Sequence, residues 1–278
     1  MRLLKNSSKK IKYSFVLGRF SKKIGNKYQH FPIDNWHSEL AIAKKFSFDG
    51  VEWIISDYSN PIFNEIYLND IIKRFKAKKM IINSIYFDLI MHDPLHKISM
   101  KNFKWLVHKI RNVQNKTKIN RITLPVEEKC RFHNDLEKKL TIKKLKYVLK
   151  VLGKKSRISI ETDIPVKSLE KLLIIRSLKN LGLLLDVGNI RANNYDMLTY
   201  IKKFSDKIFG VHIKYRDKSF WKSKILPAKF FELKILRDSI QNLKKLNDLT
   251  FQTFRSDNNF KSDMRKSIKN FNEIFKKK

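Results

Sequence analysis

The sequence predicts an α/β protein closed into a single (β/α)8 TIM barrel, and three observations carry the prediction. Short apolar runs rich in β-branched residues recur eight times, bounded by turn residues and spaced by helix-length stretches. The 278 residues suit one such barrel, which typically needs about 250. Polar and charged residues recur where the runs end, the rim on which a barrel displays its functional side chains. An open doubly wound sheet is the runner-up, and it does not call for polar residues at so many strand ends. With 7 glycines and 6 prolines there is little from which to build a long linker. Residues 1–278 therefore read as one barrel domain, with a basic extension at 1–11 and a Lys-rich tail at 273–278.

Taken in order, Tyr13 to Gly18 is the first strand, and Arg19 lies in the loop after it. Asp34 to Phe46 reads as a helix, with Asp34 as N-cap and Trp36, Leu40 and Ala43 at helical spacing. Gly50 to Ile55 is the second strand and Phe63 to Phe75 its helix; Trp36 and Trp53 belong to the layer between barrel and helices. Met80 to Tyr86 is the third strand, followed by Phe87-Asp88, the loop Met91-His92-Asp93-Pro94 and a helix from Met100 to Val113. Arg121 to Val126 is the fourth, ending at Glu127 and Glu128 before a Lys-rich helix from Asp135 to Leu152. Arg157 to Glu161 is the fifth, with a helix from Val166 to Leu178. Leu183 to Asp186 and Ile208 to Ile213 are the sixth and seventh, separated by a helix-length spacer. Asp248 to Gln252 is the eighth, and a closing helix runs into the tail.

The formal net charge is +35, enough to attract nucleic acid, acidic lipid or phosphorylated substrates. The lysines are spread along most helices, and the chain is also rich in Ile, Asn and Phe, as happens when A/T-rich codons are favoured throughout a genome. Compositional drift and solvated helix faces therefore explain the charge better than a polyanion site does. The one cysteine, Cys130, cannot form an intramolecular disulfide and has no activating partner in the sequence, which points to a reducing, cytoplasmic setting and an inert thiol. The basic N-terminus lacks the apolar core of a signal peptide, and no apolar stretch approaches the roughly 18 to 20 residues that span a bilayer.

Glu161, Asp186, His212 and Gln252 end the fifth to eighth strands, so a barrel aims all four at one rim. Two carboxylates, an imidazole and an amide oxygen make a mainly oxygen-donor site for one divalent ion, Mn2+ or Mg2+ first, Co2+ or Zn2+ as alternatives. Singly, an acid at a strand end serves as often as a helix cap, and a lone histidine is more often structural.

In these residues the chain resembles a family. Ser159-Ile-Glu161-Thr-Asp163, Leu185-Asp186-Val-Gly188-Asn189, Val211-His212-Ile-Lys214 and Phe251-Gln252-Thr-Phe-Arg255 are similar to signatures of the xylose-isomerase-like TIM-barrel superfamily, in its sugar phosphate isomerase/epimerase branch. The first half agrees in kind through Gly18-Arg19-Phe20, Phe31-Pro32, Asp49-Gly50-Val-Glu52-Trp53, Asn60-Pro61 and His92-Asp93-Pro94, so the resemblance spans nearly the whole chain. It implies a metal gripping a carbonyl and the neighbouring hydroxyl of a sugar, with proton transfer through an enediolate. Epimerases of the superfamily use two metal-bound glutamates, on the fifth and eighth strands. Glu161 matches the first, and Gln252 stands where the second would be.

That departure removes one base, because an amide does not exchange protons at neutral pH. Three outcomes stay open: one-base isomerisation by Glu161, recruitment of Glu52, Glu127 or Asp163, or a site that binds sugar without turnover. The segment after the seventh strand, Lys218 to Pro227, lacks the Gly-rich stretch of relatives, so any phosphate would fall to Lys214, Arg216 and Arg255. Ion pairing with Asp217 or Asp257 is the alternative for these cations. Asn189, where some relatives have histidine, can bind a substrate hydroxyl; His92 and Glu52 complete the expected substrate contacts. The expected partner is a sugar or sugar phosphate, in a monomer or homodimer. An AP-endonuclease-like nucleic-acid enzyme is disfavoured, because among 7 histidines only His212 sits at a clear strand end.

Overall fold

Eight parallel strands pair with their sequence neighbours and the last closes on the first, giving a barrel without edges. The computed structural model describes residues 11–23, 25, 29–217, 223–256 and 258–276. The strands are β1 (Lys12–Val16), β2 (Gly50–Ile54), β3 (Ile81–Tyr86), β4 (Arg121–Val126), β5 (Arg157–Thr162), β6 (Leu181–Asp186), β7 (Ile208–Ile213) and β8 (Asp248–Phe251). Helices α1 (Trp36–Lys45), α2 (Glu65–Ala77), α3 (Met100–Lys116), α4 (Asp135–Leu152) and α5 (Val166–Leu173) lie between the first six strands. Helices α6 (Val187–Ala192) and α7 (Met197–Phe204) join β6 to β7, α8 (Phe231–Ser239) precedes β8, and α9 (Phe260–Lys276) closes the chain. Tyr215–Arg216 and Ser223–Lys224 add a small antiparallel hairpin.

Alternation along each strand sorts side chains into two environments. Phe15, Val51, Trp53, Ile85, Leu124, Ile160, Leu185, Val211 and Phe251 join the large apolar core shared with the helices, where Trp36 and Trp53 pack at 5.6 Å between ring centroids. The residues between them, Ser14, Glu52, Ser84, Arg121, Thr123, Ser159, His212, Asp248 and Thr250, are equally buried yet polar. Among the described residues, Val16, Ile54, Tyr86 and Leu184 form a separate apolar cluster. The interior is therefore a hydrogen-bonded network.

Arg121 is its hub. The guanidinium donates to Asp248 Oδ1 at 2.7 Å and Oδ2 at 3.1 Å, to Glu52 Oε2 at 2.9 Å, and to Thr123 Oγ1. Gly210 on β7 makes room for it, since a Cβ there would run into the guanidinium. Full pairing is what makes so much buried charge tolerable.

Several boundaries differ from the sequence expectation. The first helix begins at Trp36 and not after an Asp34 cap, because Pro32 O already accepts from Asn35 N and Trp36 N and starts the turn. The fifth helix stops at Leu173, and Arg176–Leu178 forms a separate 3-10 turn. The expected spacer between β6 and β7 holds two helices. Of the basic extension, 1–10 lie outside the described residues; of the tail, 273–276 continue α9 and 277–278 lie outside them. Lys218 to Lys222 and Asp257 also lie outside the described residues.

Candidate active site

β5, β6 and β7 deliver Glu161, Asp186 and His212 side by side, with Asp186 in register with His212 across the β6–β7 pair. Their ligand-bearing atoms all lie within 4.8 Å of one another, and all three residues are buried. Asp186 ends its strand and caps α6 at once: Oδ1 accepts from Asn189 N at 2.9 Å. That fixes the carboxylate and directs Oδ2 to the rim.

His212 is aimed from behind. Its Nε2 meets Glu52 Oε1 at 2.6 Å, and Glu52 is itself held through Oε2 by Arg121 and Ser84. A carboxylate on Nε2 leaves Nδ1 to face the rim, the arrangement that orients metal-binding imidazoles. Nδ1 stands 3.5 Å from Glu161 Oε1 and 3.9 Å from Asp186 Oδ2, too far for a strong hydrogen bond. His212 Nδ1 and Glu161 Oε2 have no hydrogen-bond partner among the described residues. Buried donors converging from two carboxylates and an imidazole, with His212 Nδ1 and Glu161 Oε2 unpartnered among the described residues, fit a divalent cation.

The fourth expected ligand, Gln252, is engaged by a lysine. Gln252 Oε1 accepts from Lys214 Nζ at 2.9 Å, and the same ammonium lies 2.5 Å from Asp186 Oδ2. Gln252 Nε2 donates to Gln29 Oε1 at 2.8 Å, and Gln29 in turn donates to Asp88 at 3.1 Å. Lys214, expected to hold phosphate, thus bridges Asp186 and Gln252.

Electrostatics separate the carboxyls. For Glu161, burial disfavours the charge, but His212 and then Lys214 outweigh it and hold the group below its ordinary range. For Asp186, burial and the Glu161 charge raise it against the pull of Lys214. For Glu127, burial and then Glu161 push the carboxyl well above its ordinary range, with Lys214 opposing. Burial lowers His212, yet Glu52 and Glu161 overcome that and raise it to about 10. The ring lies between the carboxylates of Glu52 and Glu161.

The remaining expected residues are spread more widely. Asn189 is buried beside the cluster, its Nδ2 donating to Glu127 Oε2 at 2.6 Å and lying 3.5 Å from Glu161 Oε1. Glu52 lies beneath His212, fully buried. Arg216 approaches Glu128 at 3.4 Å, and Asp217 pairs with Lys224. Arg255 is 2% exposed and donates to the carbonyls of Gly18 and Ser21, tying the loop after β8 to the loop after β1. His92 is exposed in the turn after β3. Sequence reasoning did not single out Gln29, which lies in an irregular loop, or Tyr86, whose position at a strand end was the available signal.

No protein-family profile matches the sequence, and no curated protein does. Solved structures do. A xylose isomerase domain protein from Planctomyces limnophilus superposes with a TM-score of 0.72 at 11% identity, over 96% of this chain and 98% of that one. The chain has the xylose-isomerase-like TIM-barrel fold. An IolI protein solved with a bound zinc atom shares that fold at TM-score 0.68 and 14% identity, over 96% and 99% of the two chains. So does D-psicose 3-epimerase from Clostridium cellulolyticum, solved with D-tagatose, at 0.66 and 11%, over 94% and 92%. In this xylose-isomerase-like barrel the cluster at the ends of β5 to β7 lies on the rim where such folds place chemistry.

Proposed function

We propose that the protein is a metal-dependent sugar or sugar-phosphate isomerase or epimerase in which Glu161 moves a proton beside a carbonyl. The observation that carries this is the convergence of Glu161, Asp186 and the Glu52-oriented His212, with His212 Nδ1 and Glu161 Oε2 left unpartnered. The likeness to a sugar epimerase and to a zinc-binding barrel supports it. Glu161, Asp186 and His212 would hold the ion, with Gln252 Oε1 as a fourth donor once Lys214 is displaced from it. When bound, a divalent ion such as Mn2+ or Mg2+ supplies the Lewis acidity that loosens a C–H bond next to a carbonyl.

The chain's own residues account for the rest. Glu161, kept ionised, accepts the proton from carbon. Asn189 Oδ1, unpartnered and buried, accepts a substrate hydroxyl. Lys214 and Arg216 offer positive charge to a phosphate or to the developing oxyanion. Burial keeps bulk water from the carbanion-like intermediate. The lone, buried Cys130 suits a reducing compartment such as the cytoplasm.

Lys214's hold on both Asp186 and Gln252 favours one second reading, a sugar-binding barrel without turnover. Solvent exchange separates the two. Ketoses, aldoses and their phosphates are followed by NMR in D2O with Mn2+, Mg2+ or EDTA. Metal-dependent deuterium uptake beside a carbonyl, lost in Glu161→Gln, is expected; sugar binding with no exchange on any substrate would establish the second reading instead.

A further inference from the structure

With glutamine at 252, the rim is one proton-handling group short, because an amide neither gives nor takes a proton near neutral pH. We infer that Glu127, at the end of β4, is that group: the proton donor that works with Glu161 on a hydroxy-carbonyl substrate. The inference rests on the proton-transfer reading above and deepens it.

Placement comes first. Pro125 pairs with Glu161 and Val126 with Thr162 across β4 and β5, so Glu127 leaves the neighbouring strand end at the level of the cluster. The Asn189 Nδ2 that donates to Glu127 Oε2 at 2.6 Å also lies 3.5 Å from Glu161 Oε1, so one amide nitrogen spans the two carboxyls. Tyr86 OH approaches Glu127 Oε1 at 3.4 Å from β3. Glu161 Oε2 and Asn189 Oδ1 have no hydrogen-bond partner among the described residues, although Glu161 is 1% and Asn189 3% exposed. These are buried polar atoms left for a substrate beside the two acids.

The backbone turns sharply straight after Glu127. Glu128, immediately after, has φ 49°, a left-handed conformation uncommon outside glycine. The turn is locked by Cys130 N and Sγ, both donating to Glu127 O, at 2.9 and 2.8 Å.

The other acids nearby are committed elsewhere. Glu52 serves His212 and Arg121. Asp163 accepts from Glu128 N at 3.1 Å and faces Arg131 at 3.5 Å, and Asp88 accepts from Gln29. A second carboxyl beside the Glu161 base, tied to it through one amide nitrogen, is what returning a proton to carbon needs.

The step balances. Glu161 carboxylate takes the proton from carbon, the C–H electron pair moves into the enediolate, and Glu127 gives its proton as a new C–H bond forms. Solvent removes a proton from Glu161 and returns one to Glu127, so no oxidant or co-reactant is consumed.

The test compares wild type, Glu127→Gln and Glu161→Gln in D2O with Mn2+, reading deuterium wash-in to substrate, product formation and Mn2+ affinity by EPR. Glu161→Gln is expected to lose wash-in. Glu127→Gln should keep wash-in and bind Mn2+ within about two-fold of wild type, while product formation falls at least ~10²-fold, the lower end of a general acid's contribution. Glu127→Asp, which keeps a carboxyl one methylene back, covers the case in which the glutamine variant does not fold. It should lower product formation about ten-fold with wash-in retained. Product formation by Glu127→Gln at the wild-type rate would overturn the inference and leave the Glu161 reading standing. Parallel loss of wash-in, product and Mn2+ affinity in either Glu127 variant would overturn it in favour of a structural role. Absence of wash-in by wild type on every substrate would overturn both.

Discussion

Replacing Glu52 by glutamine should weaken metal binding and the fold by separate, measurable amounts. One fully buried carboxylate serves two cations, His212 through Oε1 at 2.6 Å and Arg121 through Oε2 at 2.9 Å. Burial opposes its charge, but His212 and Arg121 together outweigh that and hold the group at about 2. Removing one member of a buried ion-pair network costs about 3–5 kcal/mol. Arg121 keeps both oxygens of Asp248, so the lower end, about 3 kcal/mol, applies. For a chain of this size that corresponds to a fall in Tm of roughly 6–12 °C.

Glutamine can still accept from Nε2–H but no longer carries the charge that orients the imidazole and makes it basic. Loss of such an outer partner typically weakens metal affinity about 10–100-fold, roughly 1.4–2.7 kcal/mol. Differential scanning calorimetry and Mn2+ titration read the two effects on one preparation. A lowered Tm with Mn2+ affinity unchanged within two-fold would refute the reasoning. It would mean that Glu52 braces Arg121 and has no part in aiming Nδ1.

Other expectations follow from single contacts. Lys214→Met removes the ammonium 2.5 Å from Asp186 Oδ2 and should tighten Mn2+ binding at least about ten-fold, by calorimetric titration; weaker binding would show that Lys214 supports the ion instead of competing with it. Glu39, which accepts from Gly18 N and Ser21 Oγ, is raised by burial to about 7 against those contacts. Because its folded value exceeds the ordinary 4.5, its stabilising share is complete below about pH 4.5 and is lost as pH rises through 7, roughly 3 kcal/mol in all. Urea unfolding of wild type and Glu39→Gln from pH 4.5 to 8 should show stability falling more steeply in wild type by about that amount; equal slopes would sink the assignment. Cys130, 1% exposed and pushed by burial to about 12, should react with DTNB at pH 8 only as fast as the protein unfolds, and rapid labelling of the native state would contradict its burial.

The fold was legible because each strand is a short apolar run with a sharp polar end. β4, α4 and β7 begin and end where the sequence reading put them. Helices α6 and α7 were harder to see, since Asn193 and Asn194 interrupt the pattern and the first helix is capped by the residue that also ends β6. Period-two alternation puts Lys214 on the side of His212, but its reach to Asp186 and Gln252 depends on barrel closure. The inner network was invisible for the same reason. Arg121 meets Asp248 from 127 positions away and Glu52 from 69, and local pattern carries no signal for contacts that only topology creates. Glu127 could be noticed as an acid at a strand end, while its tie to Asn189 and its nearness to Glu161 required the barrel.

The central claim is that Glu161, Asp186 and His212 Nδ1 hold one divalent ion, and anomalous diffraction from crystals soaked in Mn2+ tests it most directly. The account predicts one peak per chain, bonded to both carboxylates and to Nδ1, with Glu52 still on Nε2 and Lys214 swung away from Gln252. A peak bonded through Nε2, or no peak at this rim with Lys214 still bridging Asp186 and Gln252, would contradict it.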